Sequence, residues 1–428
     1  MESLHETPLA ESLHIVLAGI TNAGKSSLLN NLFQKEVAVV SAVAGTTTDP
    51  VTRKMELGKL GPCSITDTAG LDDTGVLARE RIAKTKERLE SADLVLFVSP
   101  GNRQAVSCET ELLGWLKDTK IPYIGVLTFA SLPLHQSKES FFPAECCVRV
   151  DNTAAAADTR DTATNQDTVH RYGAAGSGID ELLAKIEAFS ASAIRELTPV
   201  EGIVHEGEQV ILVTPIDTAA PAGRLILPQV ETIRDLLDRN CSALTVKENG
   251  LKNLYENLRE KPGLIITDSQ AFKAVAAAIP YTQPLTSFSI LFARKKGDMH
   301  YFIKSLAALS SFPAGGKVLV MEACSHHRQD DDIGTVKIPA LFRKKVASDA
   351  QFFHSRELPE HPEIYDMVIH CAACMITKNA MDAKLSCFKD AGIPVLNYGL
   401  FLAWVNGLLP RALEPIPELA EVYRRNRT

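Results

Sequence analysis

Two groups of residues in this chain have the types and spacing to do chemistry. The first is Gly19-x4-Gly24-Lys25-Ser26, set in HIVLAGITNAGKSSLLNNL between a short β-branched run and an apolar helical pattern. Glycines let backbone N–H groups turn into such a loop and cradle phosphate at a helix N-terminus, where unpaired amides and the helix dipole favour an anion. Asn22, Ala23 and Ser27 complete the phosphate-binding run, Lys25 is spaced to reach the β and γ phosphates, and the Ser26 hydroxyl to ligate magnesium. Downstream, AGTTTDP offers Thr47 as a second magnesium ligand that closes on a γ-phosphate. DTAG offers Asp67 to hold a magnesium-bound water and Gly70 to follow the γ-phosphate with its amide. The ligand that suits this set is a nucleoside triphosphate.

The second group is Cys324-x-His326 together with His370-Cys371-x-x-Cys374. Each closes a strand-like run, KVLVMEA and YDMVIH, and parallel strands bring such ends to one edge of a sheet. Two thiolates in C-x-x-C and a third from a neighbouring strand form three corners of a tetrahedral sulfur site. The residues alone fit a structural zinc with Cys3His ligation, a 4Fe–4S cluster with one iron open to another ligand, or thiols that share no role. His326 is the first choice for a fourth ligand, followed by His327, His370 and the acidic run Asp330, Asp331, Asp332, which reads equally as a solvated loop. Asn397 and Tyr398 end the run PVLNY beside the same edge, as pocket lining or as loop caps.

The elements that must position these groups follow from length and patterning. A chain of 428 residues exceeds one core and suggests about two to four domains. With 45% hydrophobic and 23% charged residues it has the balance of a soluble globular protein. A net charge of −7 argues against a general nucleic-acid binder, which needs a basic face. No apolar run approaches the roughly 20 residues needed to cross a bilayer, and MESLHETPLAES has the features of no signal peptide. A cytoplasmic protein is expected, or one in an organelle lumen if a targeting peptide is missing from the sequence. Nine cysteines without framework spacing read as free thiols plus a metal site and not as disulfides, with most of Cys63, Cys108, Cys146, Cys147, Cys241 and Cys387 as packing residues.

Short β-branched runs alternate with amphipathic stretches throughout, so the fold class is α/β with mainly parallel sheets. Residues 1–197 form the nucleotide-binding domain, with a mobile surface insertion at 151–168 that is rich in Ala, Thr and Asp. Residues 200–282 form a second α/β domain whose open sheet edge suits pairing between two chains. Residues 283–428 form a third, with strands LTSFSILFA, KVLVMEA, YDMVIH and PVLNY, and it holds every cysteine that looks chemical.

The first domain resembles the TrmE/Era/Der branch of translation-factor-type GTPases, with Asn22 in its phosphate loop and Leu71 where small Ras-like proteins carry a water-positioning glutamine. In relatives with that asparagine a potassium ion sits beside the phosphates, so the resemblance implies Asn22 as a potassium ligand. Asp72, Asp73 and Glu80 are candidates for orienting water. The chain departs from that branch at base recognition: Thr128, Phe129, Ala130 and Ser131 stand where Asn-Lys-x-Asp is usual, and Tyr172 and Gly173 replace Ser-Ala in the last guanine loop.

Taken whole, except for the insertion, the chain resembles the FeFe-hydrogenase maturation GTPases, HydF. The resemblance implies GTP with magnesium and potassium, and slow, regulatory hydrolysis. It also implies a homodimer joined through the middle domain and a 4Fe–4S cluster on Cys324, Cys371 and Cys374, with His326 a possible fourth ligand. Such a protein is a scaffold that receives a transient di-iron subcluster from radical-SAM maturases and delivers it to apo FeFe-hydrogenase, with no nucleic-acid or membrane partner. The alternative is a GTPase acting on RNA or the ribosome with a structural zinc site. The acidic charge and the lack of a recognisable RNA-binding module weigh against it.

Overall fold

The β-branched runs become strands buried on both faces, the condition of a parallel sheet covered by helices. The computed structural model describes residues 12–35, 42–43, 52–57, 61–72, 85–86, 88–151, 178–192, 197–215, 225–322, 332–374 and 376–426. The chain divides into two compact units, 1–195 and 196–428.

Among the described residues of the first unit, seven strands run in the order β2-β3-β4-β1-β5-β6-β7. These are β1 (Leu13–Ala18), β2 (Ala42–Val43), β3 (Thr52–Leu57), β4 (Gly61–Asp67), β5 (Leu94–Pro100), β6 (Tyr123–Thr128) and β7 (Cys147–Val150). β1 pairs in parallel with β4 on one side and β5 on the other, and only the β2-β3-β4 edge is antiparallel. Alternate residues of β1 serve opposite faces. Ile15 and Leu17 join the core of helix α1 (Lys25–Lys35), whereas Val16 and Ala18 join that of helix α2 (Ser107–Asp118). Helix α3 (Ile179–Ser192) packs Leu182 and Ile186 on the same side as α1.

The described residues of the second unit form two four-stranded sheets, all parallel, ordered β11-β10-β8-β9 and β13-β12-β14-β15. The first contains β8 (Gln209–Val213), β9 (Ser242–Val246), β10 (Leu264–Thr267) and β11 (Leu285–Ser287). The second contains β12 (Lys317–Met321), β13 (Gln351–Ser355), β14 (Met367–His370) and β15 (Val395–Asn397). One continuous apolar core runs through both.

The run LTSFSILFA is not the strand expected at the start of the third domain. Only Leu285–Ser287 is extended, as an edge of the middle sheet, and helix α4 (Phe288–Lys296) follows. The Ser287 hydroxyl accepts from the Ile290 amide and caps that helix. Phe288, Ile290, Leu291, Phe292 and Ala293 are all buried, and a helix apolar all round has no periodicity to distinguish it from a buried strand. Among the described residues no helix is long and apolar enough to cross a membrane.

Candidate functional site

β1 ends at Ala18 and α1 begins at Lys25, so the phosphate loop is the whole connection. It emerges where the neighbours of β1 switch from β4 to β5, the place where open α/β sheets leave a crevice at their strand ends. A Cβ on Gly19 would lie 2.1 Å from the Val98 carbonyl oxygen, so only glycine lets the loop pass β5. Asn22 and Gly24 are left-handed, with φ of 59° and 94°, conformations that Asn tolerates and Gly adopts freely. Ala23 is buried, while Asn22, Ser26 and Ser27 are exposed at the loop's mouth.

Lys25 is 8% exposed and its Nζ donates to the Gly19 and Ile20 carbonyls at 3.0 and 2.9 Å, curling the ammonium over the loop. Burial pushes its pKa down, and the nearby Asp67 and Asp72 carboxylates pull it part of the way back. Ser26 Oγ donates to Asp67 Oδ2 at 2.8 Å, so the two groups suited to magnesium already touch. The other Asp67 oxygen, Oδ1, is buried without a hydrogen-bond partner among the described residues, an acceptor that fits a magnesium-bound water.

The DTAG segment lies against the loop. Thr68 Oγ1 donates to the Leu17 carbonyl at 2.7 Å and the Leu71 amide to Gly19 at 3.3 Å. A Cβ on Gly70 would stand 2.1 Å from Thr21 Oγ1, so Gly70 brings the segment to the loop's backbone. Asp72 does something the sequence did not suggest: its Oδ1 accepts from the Thr21 amide at 2.6 Å, occupying an N–H of the phosphate loop. Burial pushes its carboxyl up, but the hydrogen bonds from Thr21 outweigh this and hold it below the usual carboxylate range. Thr47, Asp73 and Glu80 lie outside the described residues, as do Tyr172, Gly173 and residues 152–168.

On the other unit, β12 and β14 pair in parallel with Met321 opposite His370, and the Cys371 amide donates to the Met321 carbonyl at 3.0 Å. The chain therefore leaves β12 directly beside the C-x-x-C turn. Cys371 and Cys374 are half-buried, and between them Ala373 is buried and left-handed, with φ of 55°. A strained non-glycine residue at that point has to be held by its surroundings. The buried Lys296 helps, donating to the Ile376 carbonyl at 2.7 Å and placing a cation against the cysteine turn. His370 is 1% exposed; its Nδ1 faces the Cys371 carbonyl at 2.9 Å, and Nε2 has no partner among the described residues.

Cys324, Ser325, His326, His327, Asp330 and Asp331 lie outside the described residues. Among the described residues no group of three His, Cys, Asp or Glu gathers as a metal site. Asp332 and Asn397 cap helical turns: Asp332 accepts from Thr335, and Asn397 Oδ1 accepts from the Gly399 and Leu400 amides at 2.7 and 3.4 Å. Cys63 and Cys241 are buried in apolar cores.

The chain matches three family models. Residues 14–129 match the 50S ribosome-binding GTPase, 200–297 the hydrogen maturase F dimerization domain, and 300–415 the hydrogen maturase F tetramerization domain. It is 35% identical over 187 residues to the tRNA modification GTPase MnmE of Methylorubrum populi, covering 44% of this chain and 34% of that protein. It is 48% identical over 91 residues to MnmE of Acinetobacter baumannii, covering 21% and 20%. The chain thus spans about a third or less of the length of these relatives. Among solved structures, the G domain of the T. maritima FeoB iron transporter matches at 19% identity and a TM-score of 0.28, over 42% of this chain and 99% of that one. A tyrosine-to-alanine variant of Aquifex aeolicus Era bound to GDP and AlF4− matches at 17% and 0.28, over 55% and 93%.

Proposed function

The chain belongs to the hydrogen maturase F family, with a GTP-hydrolysing domain ahead of that family's two domains, and we propose that it is a nucleotide-timed scaffold and carrier for a hydrogenase cofactor. The observation that carries this reading is the succession of the three matches along one chain. Self-association belongs to the same description, since two of the matched domains are described as dimerization and tetramerization domains. The middle domain is the proposed site of homodimer formation.

In the proposed nucleotide site, the loop amides from Gly19 to Ser27 and the Lys25 ammonium bind the phosphates. Ser26, joined by Thr47, would hold magnesium, which neutralises charge developing on the phosphate oxygens. Asp67 would accept from a magnesium-bound water, and Gly70 would follow the γ-phosphate with its amide. The Thr21 amide is held by Asp72, two residues beyond DTAG, and is not open to phosphate in this arrangement. Asn22, exposed within the loop, is the proposed potassium ligand. Exchanging potassium for sodium should then slow GTP hydrolysis severalfold or more, read as phosphate release. Equal rates in the two salts would remove that role from Asn22.

In the third domain the proposed ligands of a 4Fe–4S cluster are Cys324, Cys371 and Cys374, with His326 as fourth ligand. The half-buried cysteine turn, braced by a strained alanine and a buried lysine, suits an anionic thiolate centre. Such a cluster supplies an iron to which a di-iron subcluster can attach. The proposed partners are radical-SAM maturases that load the carrier and the apo FeFe-hydrogenase that receives the cargo. Iron and acid-labile sulfide in anaerobically purified protein test the reading. About four of each per chain is expected, against about one zinc and no sulfide for a structural zinc site.

A further inference from the structure

We propose that the nucleotide domain reads its base with Phe129 and Ser131 in place of a carboxylate, and that it therefore takes adenosine as well as guanosine triphosphates. The proposal rests on the phosphate loop and is independent of the iron–sulfur reading.

The loop after β6 is fixed relative to the phosphate site. Thr128, 1% exposed, donates its hydroxyl to the Ala23 carbonyl at 2.7 Å, tying the end of β6 to the phosphate loop. The next three residues therefore leave from a fixed point beside the phosphate loop. Phe129 is left-handed, with φ of 61°, a conformation that a bulky aromatic residue adopts only under constraint. The constraint is visible: Leu132 N–H donates to the Phe129 carbonyl at 3.0 Å and Ala130 N–H to Val150 at 3.2 Å. The Arg149 guanidinium donates to the Ala130 and Leu132 carbonyls at 3.2 and 3.4 Å. This much backbone pinning leaves a half-buried ring and an exposed serine at the mouth of the loop. Strain of this kind is kept where a ligand is gripped.

The chemistry of the two side chains sets the substrate class. Every purine has a π-face, so an aromatic ring stacks on adenine and guanine alike. A carboxylate only accepts hydrogen bonds, which suits the guanine N1–H and amino group and opposes the lone pair on adenine N1. A hydroxyl both accepts and donates, so Ser131 can accept from guanine or donate to adenine. The Ser131 hydroxyl makes no hydrogen bond among the described residues, and it stands at the position of the usual aspartate.

Titration of the full chain with non-hydrolysable analogues of GTP, ATP and CTP tests this. A site built around a dedicated hydrogen-bonding partner rejects the wrong analogue by about 10⁴-fold, whereas here the GTP and ATP constants should agree within about tenfold, with CTP weaker. Ser131→Asp should restore a guanine preference of about tenfold to hundredfold. Phe129→Ala should weaken both purine analogues together by roughly tenfold and leave their ratio unchanged. Rejection of the ATP analogue beyond a hundredfold, CTP binding equal to the purines, or an unchanged ratio in Ser131→Asp would each overturn the proposal. So would unchanged constants in Phe129→Ala. Failure of the phosphate site itself looks different, since it removes all three analogues, and failure of the carrier reading appears only in the iron content.

Discussion

Lys25→Ala should slow GTP hydrolysis by at least about 10³-fold, roughly 4 kcal/mol of lost transition-state stabilisation. The expectation follows from where the ammonium sits. It is almost fully buried, over the carbonyls of Gly19 and Ile20, and close enough to Asp67 and Asp72 for both to affect its protonation. A charge already stripped of water and held in place acts on a phosphate more strongly than one at the surface, and needs no reorganisation as charge develops. Truncation also takes a donor from two loop carbonyls, which costs of order 1–3 kcal/mol of stability. The variant should therefore melt somewhat earlier yet keep its native circular dichroism. Lys25→Arg should fail to restore the rate, because a planar fork does not replace a compact point charge in so tight a loop. Single-turnover phosphate release is the measurement, and a rate within tenfold of the native chain would remove Lys25 from the catalytic role.

The parts of this molecule that were legible in its sequence are those where chemistry dictates both residue type and spacing. The glycines and lysine of the phosphate loop are one such case, since a Cβ at Gly19 collides with Val98 and only a short strand-to-helix connection presents the amides. The meeting of the β12 end with the C-x-x-C turn is another, because β12 and β14 are both buried, and parallel neighbours of that kind end on one edge of the sheet, here with Met321 opposite His370. Side-chain contacts between residues far apart in sequence were not legible. The Thr21 amide and Asp72 carboxylate are 51 positions apart, and nothing in either local pattern announces their bond. Helix α4 was hidden for a different reason, that burial on every side erases its period. Edge strand β13, QFFHS, is largely exposed and carries no apolar run to mark it. Asn397 was open between pocket and cap, and the two amides it accepts from decide for the cap.

Replacing Cys324, Cys371 or Cys374 by serine should each reduce iron and sulfide from about four per chain to below about one after anaerobic reconstitution. A thiolate both neutralises the cluster and bonds softly to iron, and a serine hydroxyl does neither well. For Cys371 and Cys374 the surroundings sharpen the expectation. Their turn is set by the left-handed Ala373, by the Cys371 amide on Met321 and by the buried Lys296 cation, so a lost ligand cannot be replaced by sliding the loop. Serine at either position keeps the turn's shape, so loss of iron with a native fold isolates the ligand from the scaffold. Cys63, Cys108, Cys146, Cys147, Cys241 and Cys387 should be dispensable for iron, Cys63 and Cys241 being packed in apolar cores remote in sequence from the turn. Replacing His326 should be gentler, altering the EPR line shape or exchange of an external ligand while the cluster survives, because water takes the place of one imidazole more easily than of a thiolate. The same variants should be tested for activation of apo-hydrogenase by loaded protein, where each cysteine change should abolish transfer. Lys25→Ala should leave the iron content intact, which separates the two chemistries. If the triple cysteine variant retained a full complement of iron and sulfide, or activated hydrogenase as well as the native chain, the carrier site would have to lie elsewhere than on this edge of the sheet.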